Sequence, residues 1–371
     1  MKRTEIRSAV LLLLFGCASD SIATNPNHGF AGNTSVLPPV GTGGARAGSG
    51  GVGAAVQPTG QGTAGRAGAG GMATVTGAAG TAAMMMGTAG ASGGKAGAGG
   101  AAATGAAGAG GGIKTSKDPK IPAISGDCPK FAENMPMGNF MGLSGIVWVV
   151  GPKSNGTGTL LFYWHGTGSS NTEFMANVPF IDEFKSMGGI LVSPQSGTGS
   201  GGDCSGTATF SMDDFKVADQ IAACAVRDWG IDPHRIWATG CSAGGLQSGC
   251  MALVRSSYMA GAVPNSGGEY VPIGQEDMSH TPSMMTVHGA AGSDVVIVDF
   301  SSTSKMIDDQ VKSAGGFAID CDHGDGHCHI PALPADVATA GWQFMKDHPF
   351  GVSPEPYTTL PTSFPSYCKI W

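Results

Sequence analysis

The apolar positions of this chain fall into short uninterrupted runs, and they do so only beyond about residue 114. Gly145-Ile146-Val147-Trp148-Val149-Val150 and Thr159-Leu160-Leu161-Phe162-Tyr163-Trp164 show no polar alternation, which suits strands covered on both faces in a parallel sheet. Shorter runs of the same kind lie at 189–194, 235–238, 260–264, 282–289 and 315–320. Between them come stretches that accommodate helices, at 171–186, 213–229, 246–254 and 334–346. The second carries Phe215, Val217, Ala218, Ile221, Ala222 and Val226 as an apolar stripe. Strands alternating with helices predict an α/β fold, a mostly parallel central sheet with helices on both faces.

One junction in this pattern carries chemistry. The strand run Arg235-Ile236-Trp237-Ala238 passes through Thr239-Gly240-Cys241-Ser242-Ala243-Gly244-Gly245 into the helical run from Leu246. G-x-S-x-G at a strand-to-helix corner is a nucleophile elbow of the α/β-hydrolase fold, in which the flanking glycines leave room for the tight crossing. A glycine-rich turn that merely contains a serine is the duller alternative. The helix opening there aims free N–H groups at any oxyanion formed at Ser242. A serine hydroxyl needs a histidine to take its proton and an acid to orient that histidine, and on this fold the chain order is Ser, Asp or Glu, His.

Asp294 follows the run ending at His288-Gly289, and His327 follows the run ending at Asp320, so both meet that order. Asp299 and Asp309 compete as the acid, and His323 and His329 compete as the base. The glycine before His327 and the helix beyond Pro331 favour His327. For the oxyanion, Ala243 should supply one backbone N–H, and the His165-Gly166-Thr167 turn a second, from Thr167. The run from Cys321 to His329 offers several N, S and O donors. It lacks paired C-x-x-C or H-E-x-x-H spacing, and Pro331 stands where a calcium loop starting at Asp320 would need glutamate. No metal and no cofactor are expected.

Cys241 precedes the expected nucleophile and Cys328 follows the expected base. Their neighbours must meet if the triad is real, and a disulfide needs Cα atoms only ~5.5 Å apart. A Cys241–Cys328 bridge satisfies both demands and closes a long loop, worth ~4–5 kcal/mol in the chain-entropy view. Among the remaining cysteines, Cys204, Cys224, Cys250 and Cys321 stay unassigned. A Cys128–Cys368 bridge is attractive because it would pin the two ends of the domain.

With these residues in place, the chain resembles the tannase and feruloyl esterase family. Cys241-Ser242, Asp294 and His327-Cys328 match its CS-D-HC signature, in which such a disulfide links the neighbours of the catalytic serine and histidine. The turn at Trp164-His165-Gly166, the stretch Arg235 to Gly240, His288-Gly289 and Gly326-His327 are also similar to secreted esterases grouped with feruloyl esterases and polyhydroxybutyrate depolymerases. The likeness starts near Asp127. Ala243 departs from the asparagine or histidine of many relatives, and His329 from the tryptophan of their G-H-x-W-P sequence, which leaves substrate preference open.

Composition changes the picture for the first part of the chain. Glycine and alanine dominate from Gly41 to Gly112, and no aromatic residue occurs between Phe30 and Phe131. Such a stretch buries too little apolar area to offset the entropy of ordering it, so 18–112 should be a disordered tether and 113–371 the catalytic domain. Lys2, Arg3 and Arg7, the apolar 9–15 and Gly16-Cys17 form a three-part export signal over 1–17. Leu14-Phe15-Gly16-Cys17 resembles a bacterial lipobox, which implies lipidation of Cys17 and, with Ala18 after it, an outer-membrane or surface destination; an ordinary signal would give a secreted protein. The net charge of −7 and the absence of a basic stripe argue against nucleic acid. Membrane contact is expected through the anchor alone.

The sequence thus points to an exported serine esterase on feruloyl or acetyl esters of plant polysaccharide, its partner a polymeric or polymer-derived ester. A polyester depolymerase, a peptidase on the same fold and a non-catalytic surface binding protein are the alternatives.

Overall fold

Successive side chains of a strand leave on opposite faces, and the central strands of this protein bury both sets. The computed structural model describes residues 114–202, 204, 209–329 and 333–371. The expected signal over 1–17, Cys17 and the 18–112 tether lie outside the described residues. Nine strands appear among those described: β1 (Gly138–Phe140), β2 (Leu143–Val150), β3 (Gly158–Trp164), β4 (Ile190–Ser193), β5 (Ile231–Cys241), β6 (Gly261–Asn265), β7 (Ser283–His288), β8 (Ala318–Asp322) and β9 (Cys368–Ile370). They form one sheet in the order β1-β2-β4-β3-β5-β6-β7-β8-β9. The strands from β4 through β3 to β8 are mutually parallel, while β1 and β2 on one side and β9 on the other pair antiparallel.

The uninterrupted apolar runs are divided between two cores. Leu160, Phe162, Trp164, Ile236, Ala238 and Met284 face one, under α3 (Asp214–Cys224), α4 (Ala243–Val254) and α5 (Phe300–Ser313). Leu161, Tyr163, Trp237, Met285 and Val287 face the other, under α1 (Phe174–Asn177), α2 (Ile181–Ser186) and α6 (Ala335–Asp347). The expected α/β architecture, mostly parallel with helices on both faces, is the observed one.

Three elements differ from the sequence expectation for physical reasons. The helix expected over 171–186 is broken into α1 and α2, because Pro179 lacks a donor and pushes Val178 out of helical geometry. β5 starts at Ile231 and so contains Pro233, which is tolerated because the ladder to β3 is irregular between Gly158 and Leu160. Helix α5 was not expected because few of its residues are apolar, and it begins where the Asp299 side chain caps the Ser302 N–H.

The expected Cys128–Cys368 bridge is not formed. Cys128 pairs with Cys224 and Cys368 with Cys321, while Cys204 pairs with Cys250. Gln220 on α3 donates to the carbonyls of Gly126 at 2.9 Å and Asp127 at 3.0 Å, which lays the entry segment along α3 and brings Cys128 to its last residue. Cys368 sits directly across from Cys321 in the β8–β9 register. Peptide mapping without reduction should recover Cys128–Cys224 and Cys321–Cys368 peptides. Replacing both Cys321 and Cys368 by serine should cost about 2–5 kcal/mol in urea unfolding; an unchanged midpoint would mean that β9 is held by other contacts.

Candidate active site

Strand β5 ends at Cys241 and α4 begins at Ala243, so Ser242 is the single residue of the corner. Its backbone, at φ 60° and ψ −122°, is one that L-residues rarely adopt. The glycines on either side explain how the corner closes. A Cβ at Gly240 or at Gly244 would collide with the carbonyl oxygen of Trp164 at the end of β3. Ser242 N–H donates to the Asn265 carbonyl at 3.0 Å, tying the corner to the end of β6. Ala243, as the first residue of α4, has an N–H with no intrahelical acceptor.

The turn after β3 lies against this corner. A Cβ on Gly166 would sit 3.4 Å from Ser242 Cβ. Gly166 N–H donates to Glu173 Oε2 at 3.1 Å, so it is already engaged. Thr167 N–H has no acceptor among the described residues, and Thr167 Oγ1 meets Thr209 Oγ1 at 3.0 Å. The turn that carries Thr167 and the start of α4 that carries Ala243 therefore both adjoin the Ser242 corner.

Asp294 is fully buried and takes three hydrogen bonds. His327 Nδ1 donates to Oδ1 at 2.7 Å, while Gly289 N–H at 2.9 Å and Ser266 Oγ at 2.8 Å donate to Oδ2. Burial alone would raise this carboxyl, but these bonds outweigh it and hold the group below the usual carboxylate range. Ser266 also accepts from Cys328 N–H at 2.8 Å, linking the acid to the loop that carries His327. Cys241 and Cys328 form a disulfide, which fastens the serine corner to that loop. The ring of Phe300 packs against the imidazole, with centroids 4.6 Å apart.

Three of the four competing candidates are occupied elsewhere. Asp299 caps α5, Asp309 accepts from Trp371 Nε1 at 2.8 Å, and His329 pairs with Asp325 at 2.7 Å. Three contributors escaped the sequence reading: Ser266, Glu173 and Phe300. Ser266 carried no signal, since Asn265-Ser266-Gly267-Gly268 looks like an ordinary turn. Ser242 Oγ makes no hydrogen bond among the described residues. His327 Nε2 lies 3.7 Å from Cys328 Sγ, so the imidazole is already oriented by Asp294 and makes no strong contact on its other side.

Behind the acid, His288 is buried at the end of β7. Its Nδ1 faces the Gly289 carbonyl at 2.7 Å and its Nε2 faces Asp320 Oδ1 at 2.6 Å. Both ring nitrogens thus face oxygen acceptors, an arrangement that favours the doubly protonated imidazole. Burial pushes it toward neutrality, but Asp320 and the Gly289 carbonyl win and raise its pKa. Asp320 is correspondingly held low, its own burial outweighed by His288 and Lys369.

No family model matches this chain, and no curated protein matches it in sequence. Among solved structures, it is similar to native pOPH, at a TM-score of 0.49 and 16% identity, with 66% of this chain and 97% of that one covered. It is also similar to native sOPH, at 0.47 and 18%, covering 66% and 97%. The Bacillus cereus carboxylesterase gives 0.41 and 15%, covering 55% and 93%. At these scores the backbone overlap is partial, and the chemistry rests on this chain's own side chains.

The His288–Asp320 pair makes stability depend on pH in a defined way. A histidine raised by folding stabilises below its unfolded pKa and loses that contribution as pH rises through its folded one. A depressed aspartate stabilises above its unfolded pKa and loses the contribution as pH falls. Asp320→Asn should therefore cost about 3–5 kcal/mol near pH 6, and the difference from wild type should shrink once the pH passes the folded pKa of His288. Urea unfolding of both proteins from pH 5 to 10 measures this; a pH-independent difference would show that His288 is neutral.

Proposed function

We propose that this protein is a serine carboxylic-ester hydrolase of the α/β-hydrolase type, working through an acyl-enzyme. The observation that carries the reading is the 2.7 Å bond from His327 to buried Asp294, fastened beside the Ser242 corner by the Cys241–Cys328 disulfide. Ser242 Oγ attacks the ester carbonyl carbon and its proton passes to His327 Nε2. Asp294 keeps the other ring proton on Nδ1 and stabilises the imidazolium. The carbonyl oxygen, now anionic, accepts from the N–H groups of Ala243 and Thr167, each such donor being worth roughly 3 kcal/mol. The tetrahedral adduct collapses, the C–O bond to the alcohol breaks, and His327 returns the proton to the departing oxygen. Water then repeats the sequence on the acyl-serine and releases the acid.

The substrate class we assign is a feruloyl or acetyl ester of plant polysaccharide, on the strength of the CS-D-HC arrangement. One observation favours a second reading, an apolar polyester. Val295, Val296 and Ile297, directly after Asp294 in sequence, are 47%, 60% and 56% exposed, an apolar stretch of surface. Export is supported by the cysteines: of the nine in the chain, eight are joined in four disulfides, as an oxidising compartment allows, and Cys17 is the one outside these pairs. We assign Cys17 as the lipid-bearing residue of a surface-anchored enzyme.

Purified protein should hydrolyse a chromogenic acetate ester, and Ser242→Ala should lower kcat/KM by about 10⁴-fold or more. Methyl ferulate, acetylated xylan and hydroxybutyrate oligomers, compared by kcat/KM, separate the substrate readings. A wild type inert toward all four would leave a binding protein on a hydrolase scaffold.

A further inference from the structure

The turn after β8 brings together three side chains that the hydrolytic machinery does not use. His323, Asp325 and His329 each offer a ligand atom, and these atoms lie within 4.8 Å of one another. His329 Nδ1 is 2.7 Å from Asp325 Oδ2, and the two imidazole rings stand 5.3 Å apart and nearly perpendicular. Ligands that share one tetrahedral ion at about 2.0–2.2 Å stand about 3.3–3.6 Å apart, so an ion would open the His329–Asp325 contact slightly and draw His323 toward it. His323 Nε2 is shielded from solvent and has no hydrogen-bond partner, an unmet demand in a folded protein. Asp325 and His329, with Gly326 and His327, line an open cavity of about 400 Å³, so an ion has a way in.

We infer that His323, Asp325 and His329 form a binding site for a divalent transition metal, with Zn²⁺ the best match. Two imidazoles and one carboxylate are a borderline donor set, which suits zinc rather than calcium or magnesium. Three protein ligands leave coordination positions for water. Coordination through His323 Nε2 places the ring proton on Nδ1, which then gives up the 3.2 Å bond it accepts from Asp325 N–H. Cys241 and Cys328 also lie close to His327, but their sulfurs are joined to each other and cannot act as thiolate ligands. The site differs from a tetracysteine or His-Glu-x-x-His arrangement in spacing, because the turn at Gly324 and Gly326 and the short 3-10 turn His327–His329, rather than an α-helix, gather the ligands. Gly324, with φ 79°, folds the turn so that residues 323 and 325 come to one side.

The position gives the ion a role. Its ligands lie four and two residues before His327 and two after it, so a bound ion braces the loop that presents the imidazole. It does so without displacing the Asp294 bond, which leaves the ring toward the interior.

The test is calorimetric titration of ZnCl₂ into the purified, untagged, EDTA-stripped full chain, with Co²⁺ absorption bands as an optical readout of the ligand field. One Zn²⁺ should bind per chain. His323→Ala and His329→Ala should each weaken it by about 100-fold, since even outer-shell partners of a metal are worth 10–100-fold. Ser242→Ala should bind as the wild type does, so a failure of the hydrolase reading leaves this result untouched. Binding to wild type should also slow amide exchange across 323–329. Wild-type affinity no tighter than that of the His323→Ala/His329→Ala double variant overturns the site, as does a Co²⁺ spectrum identical in the two proteins.

Discussion

A single buried carboxylate organises the site. Asp294 is inaccessible to water, and an ionised carboxyl there would be prohibitively costly without donors. Its three partners come from three separate segments: Gly289 at the end of β7, Ser266 at the end of β6, and His327 beyond β8. Satisfying one anion therefore fixes the relative positions of three strand ends. Ser266 spends its proton on Asp294 and its lone pair on Cys328 N–H, so it sets the spacing between the acid and the base-bearing loop. The parallel sheet makes this convergence inexpensive, because β6, β7 and β8 all end on the same side.

Backbone strain is concentrated around that anion. Ser242, Ser266, Cys328 and His329 all have left-handed φ values, of 60°, 40°, 54° and 46°, though none is glycine. Each such residue costs about 1–3 kcal/mol and persists only where its surroundings over-determine it. Here the surroundings are well defined. The β7–β8 ladder continues past the strands through His323 N–H to the His288 carbonyl at 2.9 Å and Ala290 N–H to the Asp325 carbonyl at 3.1 Å. The Cys241–Cys328 disulfide then ties the far end of the loop to the serine corner. Below it, the His288–Asp320 ion pair holds the peptide whose N–H reaches Asp294.

The placements legible in the sequence were those that depend on chain order. Ser242, Asp294 and His327 each follow a recognisable apolar run, and a parallel sheet delivers such positions to one edge. The adjacency of Cys241 to Ser242 and of Cys328 to His327 made their bridge legible for the same reason. Cys128 and Cys368 had no such logic, because their partners are set by how the entry segment lies on α3 and by the β8–β9 register. Helix α5 was hidden by its composition: Phe300-Ser301-Ser302-Thr303-Ser304 reads as a polar loop, and burial of Phe300, Ile307 and Val311 is decided by the sheet it covers. Ser266 was hidden because a serine in a glycine-rich turn says nothing about which distant carboxylate it will meet.

The absence of a bond from Ser242 Oγ to His327 fits this division of labour. The imidazole is oriented by Asp294 through Nδ1, and the neighbour of Nε2 is a disulfide sulfur at 3.7 Å, a weak acceptor that competes poorly for a proton. Serine and histidine contacts of this kind are often long before substrate arrives and tighten in the reacting complex. What the free protein must hold is the approach of the two loops, and the bridged Cα atoms 5.9 Å apart do that. The corner itself is closely packed, since a Cβ at Gly240 or Gly244 would collide with the Trp164 carbonyl. For the proposed mechanism, the backbone and Asp294 are thus held by several contacts, while Ser242 Oγ makes no hydrogen bond among the described residues.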